Sequence, residues 1–321
     1  MSEPAPLGPD EMATWETEGY VLVRGAISAE QAARSADEVW EFAGKPEHRR
    51  FLFGVDRDNE ETWYEKTPDS RVDGRTVEIY HGTQQWANRT APDIYGAFSQ
   101  ILGERRICCS LDAAHISPPS RNLDETLGFL HWDMWHVQRY NDPTHGPCIE
   151  PAANHNSAWE TIMDQEPEGM REALAARKVQ GMLYLTDTPE DTGAFVIVPG
   201  FHRQIESWLK NLPASAVPSA EDLLALGTVQ VPGNAGDLVI WNSLCPHSAG
   251  VNHNREGRVR VVQYLSYRYD SDLENGDREA RRAFHRNGQK GNGNRLDLPN
   301  EPGNVELTSL GRKIAGLDPW P

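Results

Sequence analysis

Positive charge, cysteine and long apolar runs are all scarce in this 321-residue chain. Lys and Arg total 31 against 48 Asp and Glu, a formal charge of -17 at pH 7, and such an excess repels polyanions, which argues against nucleic acid as a partner. The four cysteines, Cys108, Cys109, Cys148 and Cys245, form no CxxC pair and no regular spacing, so neither a disulfide framework nor a zinc ribbon is expected. No stretch of about 18 apolar residues occurs, which excludes a spanning helix. The first residues, MSEPAPLGPDEMATWETEG, are acidic and proline-bearing where a secretory signal is basic and then apolar. These absences together predict a cytoplasmic protein that works neither on membranes nor on nucleic acid. The length is enough to bury a substantial core without disulfides or metals as staples. Ten tryptophans are present, and their size and polar edge suit pocket walls as well as cores.

Along the chain, residues 1–14 read as a flexible leader, Gly19 to Gly25 as a short strand, and Ser28 as the cap of an amphipathic helix from Ala29 to Phe42. Residues 45–95 show few clear periods. Pro92 to Leu102 suits a helix. From Arg106 the texture turns to short β-rich runs punctuated by Gly, Pro and Asn: Arg106 to Ala114, Phe129 to Tyr140, Val179 to Thr186, Gly193 to Val198, Asp237 to Trp241 and Arg258 to Tyr269. Runs of this kind point to a sandwich or barrel. The reading is one domain with a β core over 106–270, a lid-like insertion at 141–178 and a polar C-terminal extension at 271–321, of which only Thr308 to Leu317 looks able to dock as a helix capped by Thr308.

Chemistry concentrates in two runs. Phe129-Leu-His-Trp-Asp-Met-Trp135 sets His131 and Asp133 two residues apart, so on a strand an imidazole and a carboxylate leave the same face. Gly236-Asp-Leu-Val-Ile-Trp241 leads into Asn-Ser-Leu-Cys-Pro-His247 and delivers a second imidazole. Two His and one carboxylate are the facial triad of non-heme iron(II) oxygenases, whose three open positions accept oxygen and organic ligands. Such a centre keeps a positive charge that favours a chelating keto acid, and the far carboxylate of that acid needs a cation. Arg258 and Arg260 fall on one face of the Arg258-Val-Arg-Val-Val-Gln-Tyr264 run, and strand parity does not separate them. Gln180 and Tyr184 share a face of the Val179 strand and suit either core packing or contact with the keto acid. Trp135 shares a face with Asp133 and suits a substrate wall.

These residues carry a resemblance. The opening Gly19-Tyr-Val-Leu-Val-Arg-Gly25, the His131-x-Asp133 pair, Gly193-Ala-Phe-Val-Ile-Val-Pro-Gly-Phe-His202, and the run from Gly236-Asp to His247-Ser-Ala-Gly-Val-Asn252 resemble the phytanoyl-CoA dioxygenase family of iron(II)/2-oxoglutarate oxygenases over residues 15–270. The resemblance implies a mainly β fold with flanking helices around a double-stranded β-helix, a cupin-like jelly roll. It implies Fe(II) held by His131, Asp133 and His247, with 2-oxoglutarate and O2 as co-substrates. It assigns the 2-oxoglutarate C5 carboxylate to Arg258, with Arg260 as rival, and makes His202 a structural turn residue. The activity it implies is hydroxylation of an unactivated carbon in a small metabolite, such as a natural-product tailoring step. Desaturation, cyclisation and halogenation stay open, as does a metal-binding sensor without turnover. The 45 residues between Asp133 and Val179 exceed the needs of the core, and the acidic balance speaks against an acyl-CoA, so the family's substrate is not carried over.

Overall fold

The computed structural model describes residues 6–45, 56–64, 76–122, 130, 179–205, 207–208, 224–273, 276–288 and 304–321. Its strands are β1 (Tyr20–Val23), β2 (Thr76–Val77), β3 (Ile107–Cys109), β4 (Ala114–Ser117), β5 (Val179–Tyr184), β6 (Phe195–Ile197), β7 (Val229–Val231), β8 (Leu238–Asn242), β9 (His247–Ala249) and β10 (Arg260–Tyr269). They form a major antiparallel sheet in the order β1-β8-β5-β10-β4-β2, with β3 also on β10, and a minor sheet β7-β6-β9. The result is mainly β with flanking helices, in keeping with the jelly roll. Phe129 to Tyr140 lies outside the described residues except for Leu130, and so does the whole 141–178 segment.

Alternation along the strands sorts the core into two compartments. Leu183, Leu185, Leu238, Ile240, Val261 and Leu265 face a helical layer, whereas Met182, Tyr184, Val239, Trp241 and Val262 face inward toward Phe195, Ile197 and Leu130. β5 is buried along its whole length because both of its faces are covered. Helix α4 (Pro92–Leu102) approaches so closely that a Cβ on Gly181 would stand 2.8 Å from the Phe98 ring.

Helix α2 (Ala29–Gly44) starts where its cap predicts, with the Ser28 hydroxyl accepting from the Gln31 N–H, and buries Ala32, Ala36, Val39, Trp40 and Ala43. Residues 9–14, expected in a loose leader, belong instead to α1 (Pro9–Glu18): Pro9 presets the first turn, and the Glu11 carboxylate accepts from the Gly8 N–H at 3.0 Å. Helix α3 (Thr83–Arg89) lies within the stretch of residues 45–95 that shows no clear period. Its amino end is capped from outside, since Glu38 of α2 accepts from the N–H groups of Gln84 and Gln85. Burial raises the Glu38 carboxyl above its ordinary range, and those backbone donors pull it back.

Helix α5 (Asp277–Asn287) is the other surprise, in a polar extension of which only Thr308 to Leu317 is expected to dock. It docks through arginines: Arg281 donates to the Cys109 and Ala315 carbonyls and Arg282 to that of Leu317. Arg278 pairs with Asp270 at 2.6 Å. Helix α6 (Ser309–Ile314) begins at Thr308, whose hydroxyl accepts from the Gly311 N–H. No helix of the described residues is long and apolar enough to cross a membrane. Cys108, Cys109 and Cys245 are free, buried thiols; burial raises Cys108 and pushes Cys109 to about 11 and Cys245 to about 12.

The Gly236-Asp237 step explains its own composition. Gly236 has φ +97, and a Cβ there would lie 2.3 Å from the Ile27 carbonyl oxygen. Asp237, 3% exposed, accepts from the Gly25 N–H, the Asn234 N–H and the Arg24 guanidinium at 2.7–2.9 Å, and so ties β1 to the entry of β8. Asp237→Ala leaves two partly buried backbone donors without their acceptor and is expected to cost about 1–3 kcal/mol in urea unfolding. Arg24→Ala, whose side chain is 65% exposed, should cost under about 1 kcal/mol. Equal losses in the two variants would show that the backbone contacts contribute nothing.

Candidate active site

The chain leaves β8 at Asn242 and turns tightly: the Cys245 N–H donates to the Asn242 carbonyl at 2.9 Å and the Leu244 N–H to the Asn242 side chain at 3.0 Å. This turn delivers His247 to β9, where it pairs with Ile197 of β6. The ring is 4% exposed and sits between Trp241, at 4.9 Å between centroids, and Phe195, at 6.0 Å. Its Nδ1 lies 3.0 Å from the Cys245 carbonyl oxygen. A carbonyl only accepts, so Nδ1 carries the proton and the lone pair of the imidazole is on Nε2. That is the tautomer a metal ligand needs, with its orientation fixed by a backbone acceptor.

His131, Asp133 and Trp135 lie outside the described residues. Leu130, the neighbour of His131, is 3% exposed and belongs to the inner cluster with Met182, Tyr184 and Trp241. The donor set fits a divalent iron at one point that the structure shows directly, the prepared nitrogen of His247.

The two arginines part company. Arg258 does not lie on the strand: β10 begins at Arg260, and Arg258 sits in the loop before it, its side chain 53% exposed and paired with Glu256 at 2.8 Å. Arg260 is fully buried on the inner face, opposite Ser117 of β4, and shares that face with Val262 and Tyr264. Its Nη1 donates to the Gly193 carbonyl at 2.6 Å, while Nε and Nη2 have no hydrogen-bond partner among the described residues. A buried guanidinium with two donors unspent is costly, and a carboxylate is the ligand whose geometry takes both.

Gln180 and Tyr184 stand at opposite ends of β5. Gln180 is buried beside Trp241 in the strand register. Tyr184 pairs with Val262, near Arg260, but its hydroxyl is engaged with the backbone, donating to the Val231 carbonyl at 2.6 Å and accepting from the Phe195 N–H at 3.0 Å. Burial pushes its phenol to about 12. Tyr184 therefore joins the two sheets and fixes the strand that carries Phe195. His202 is structural as expected: its Nε2 lies 3.2 Å from the Glu16 carbonyl and its Nδ1 3.6 Å from the Cys245 sulfur. Phe195 and Trp241 received no role from sequence reading. Inward parity on their strands, next to a run ending in His247, is the signal that would have found them.

The chain has relatives among known proteins. Residues 15–260 match the family model described as phytanoyl-CoA dioxygenase (PhyH). A putative phytanoyl-CoA dioxygenase of Dictyostelium discoideum is 24% identical over 269 residues, covering 78% of this chain and 72% of that protein. Among solved structures, a hypothetical protein from Escherichia coli superposes with a TM-score of 0.61 at 16% identity, covering 97% of this chain and 82% of its own. EctD from S. alaskensis, crystallised with bound Fe, gives 0.53 at 17% identity, covering 85% and 81%. This chain belongs to the phytanoyl-CoA dioxygenase family.

Proposed function

We propose that the protein is an iron(II)- and 2-oxoglutarate-dependent dioxygenase that hydroxylates an unactivated carbon of a small organic metabolite. The observation that carries this reading is Arg260, a wholly buried guanidinium with two unspent donors on the same inner sheet face as the residues around His247. Family membership supports the iron chemistry, and the fold is shared with EctD, which has been crystallised with 2-oxoglutarate and 5-hydroxyectoine (TM-score 0.51, 14–17% identity among its structures).

His131, Asp133 and His247 would hold the iron and leave three positions open. Bound there, iron with O2 and 2-oxoglutarate supplies the oxidising power for C–H cleavage, with succinate and CO2 as by-products. The chain's own residues do the rest. Arg260 takes the distal carboxylate of the keto acid in a two-donor pair and so sets which end meets the metal. The Cys245 carbonyl holds the proton on Nδ1 of His247 and keeps Nε2 directed as a ligand. Phe195, Trp241, Met182 and Val262 exclude water from the inner face, which strengthens the charge pair. The substrate is a neutral, zwitterionic or cationic molecule in preference to an acyl-CoA, because a chain of charge -17 provides little attraction for CoA phosphates.

The test is anaerobic reconstitution with Fe(II), then addition of O2 and 2-oxoglutarate. Succinate formation without substrate, stimulated by one class of metabolite that gains a single oxygen by mass spectrometry, is the expected result. Absence of succinate at any iron loading would leave a metal-binding protein without turnover, and a chlorinated or desaturated product would replace hydroxylation.

A further inference from the structure

Arg260 is not the only buried donor left unspent on the inner face. Trp241, the last aromatic of β8, is 3% exposed, and its indole Nε1 has no hydrogen-bond partner among the described residues. Its position is set on all sides: it pairs with Tyr20 of β1 and Gln180 of β5, and its ring stacks at a tilt 4.5 Å from Phe195 and 4.9 Å from His247. His247 does not absorb the N–H, since its Nδ1 faces the Cys245 carbonyl and its remaining nitrogen is the one assigned to the metal. Indole is a donor only, and no acceptor among the described residues meets this N–H, closed off from water beside His247. Buried polar groups are ordinarily satisfied, and one that is not calls for an explanation, of which a bound ligand beside the site is one.

We infer that Trp241 donates a hydrogen bond to an oxygen at the metal-chelating end of the bound 2-oxoglutarate, so that the keto acid is gripped at both ends, by Arg260 at the distal carboxylate and by the indole N–H beside His247. The inference rests on the reading of the protein as a 2-oxoglutarate enzyme. The chelating end is chosen over the substrate because Trp241 is buried on the inner sheet face with its ring 4.9 Å from that of His247, a proposed metal ligand. A dicarboxylate lacking the keto group keeps the Arg260 contact and loses the chelate, and this separates the two ends experimentally.

Trp241→Phe keeps an aromatic ring and removes the donor. In the Zn(II)-loaded protein, which binds without turning over, calorimetry should show 2-oxoglutarate bound about tenfold more weakly by this variant, the fold-change expected for one hydrogen bond to a charged group. Succinate affinity and Zn(II) affinity should be unchanged. Arg260→Met should weaken both acids. Unchanged 2-oxoglutarate binding in Trp241→Phe, or an equal loss for both acids, would overturn the inference, the second outcome marking a packing defect. Should the variant fail to fold, wild-type protein with 15N-labelled tryptophan decides: one indole N–H resonance should move downfield on adding 2-oxoglutarate and stay in place with succinate. No such movement overturns the proposal. Failure of the wild-type Zn(II) protein to bind 2-oxoglutarate at all would instead refute the reading of the enzyme.

Discussion

Arg260→Met should raise the apparent KM for 2-oxoglutarate by roughly 10- to 100-fold, the range implied by a charge-assisted pair of about 1.5–3 kcal/mol, while Arg258→Ala leaves it within about twofold, as exposed pairs contribute little. The contrast follows from placement: one guanidinium is fully buried with Nε and Nη2 unpaired, and the other is half-exposed beside Glu256. A second consequence has the opposite sign. A buried, half-satisfied cation burdens the ligand-free protein, so an apolar side chain of similar length should leave thermal stability unchanged or raise it. The lost donation to Gly193 works against that gain. A variant that is destabilised yet binds 2-oxoglutarate normally would show that Arg260 serves the fold and that the carboxylate is held elsewhere.

His247→Ala is expected to reduce turnover to background, because it removes a metal ligand outright, and an open site with three protein ligands tolerates that poorly. Iron affinity should fall by at least about a hundredfold, beyond the 10- to 100-fold typical of losing only an outer partner of a ligand. Circular dichroism should stay native, since β9 is held to β6 by backbone pairing that alanine keeps. His202→Ala supplies the control. Its ring contacts the Glu16 carbonyl and the Cys245 sulfur, so its loss should appear in stability before it appears in iron binding. Wild-type turnover in His247→Ala would sink the assignment whatever the behaviour of His131→Ala and Asp133→Ala.

What could be read from sequence was local. Ser28, Thr308 and Pro92 mark helix starts because capping and a preset φ act within one turn, and β5 and β10 show themselves because covered strands are written as apolar or alternating runs. What escaped was tertiary. Helix α3 owes its amino-terminal cap to Glu38, 46 residues from Gln84, and α5 owes its docking to arginines that reach carbonyls of other segments, so its charges looked like solvation. The site divides in the same way. His247 follows from the run that delivers it, but Arg258 and Arg260 have the same parity, and only the start of β10 tells them apart. The hydroxyl of Tyr184 looked equally suited to ligand or core until Val231 and Phe195 were seen to use it.

The three buried thiols turn the chain into its own reporter. Modification by a maleimide or a disulfide reagent needs thiolate, and Cys108, Cys109 and Cys245 are both enclosed and shifted toward the protonated form. In the native protein their reaction is set by the rate at which the fold opens. Cys148 is the remaining thiol, and in the sequence it lies between His131 and β5. A labelling time course with and without 2-oxoglutarate therefore reads two clocks from one sample: any fast equivalent belongs to Cys148, and the slow ones time global unfolding.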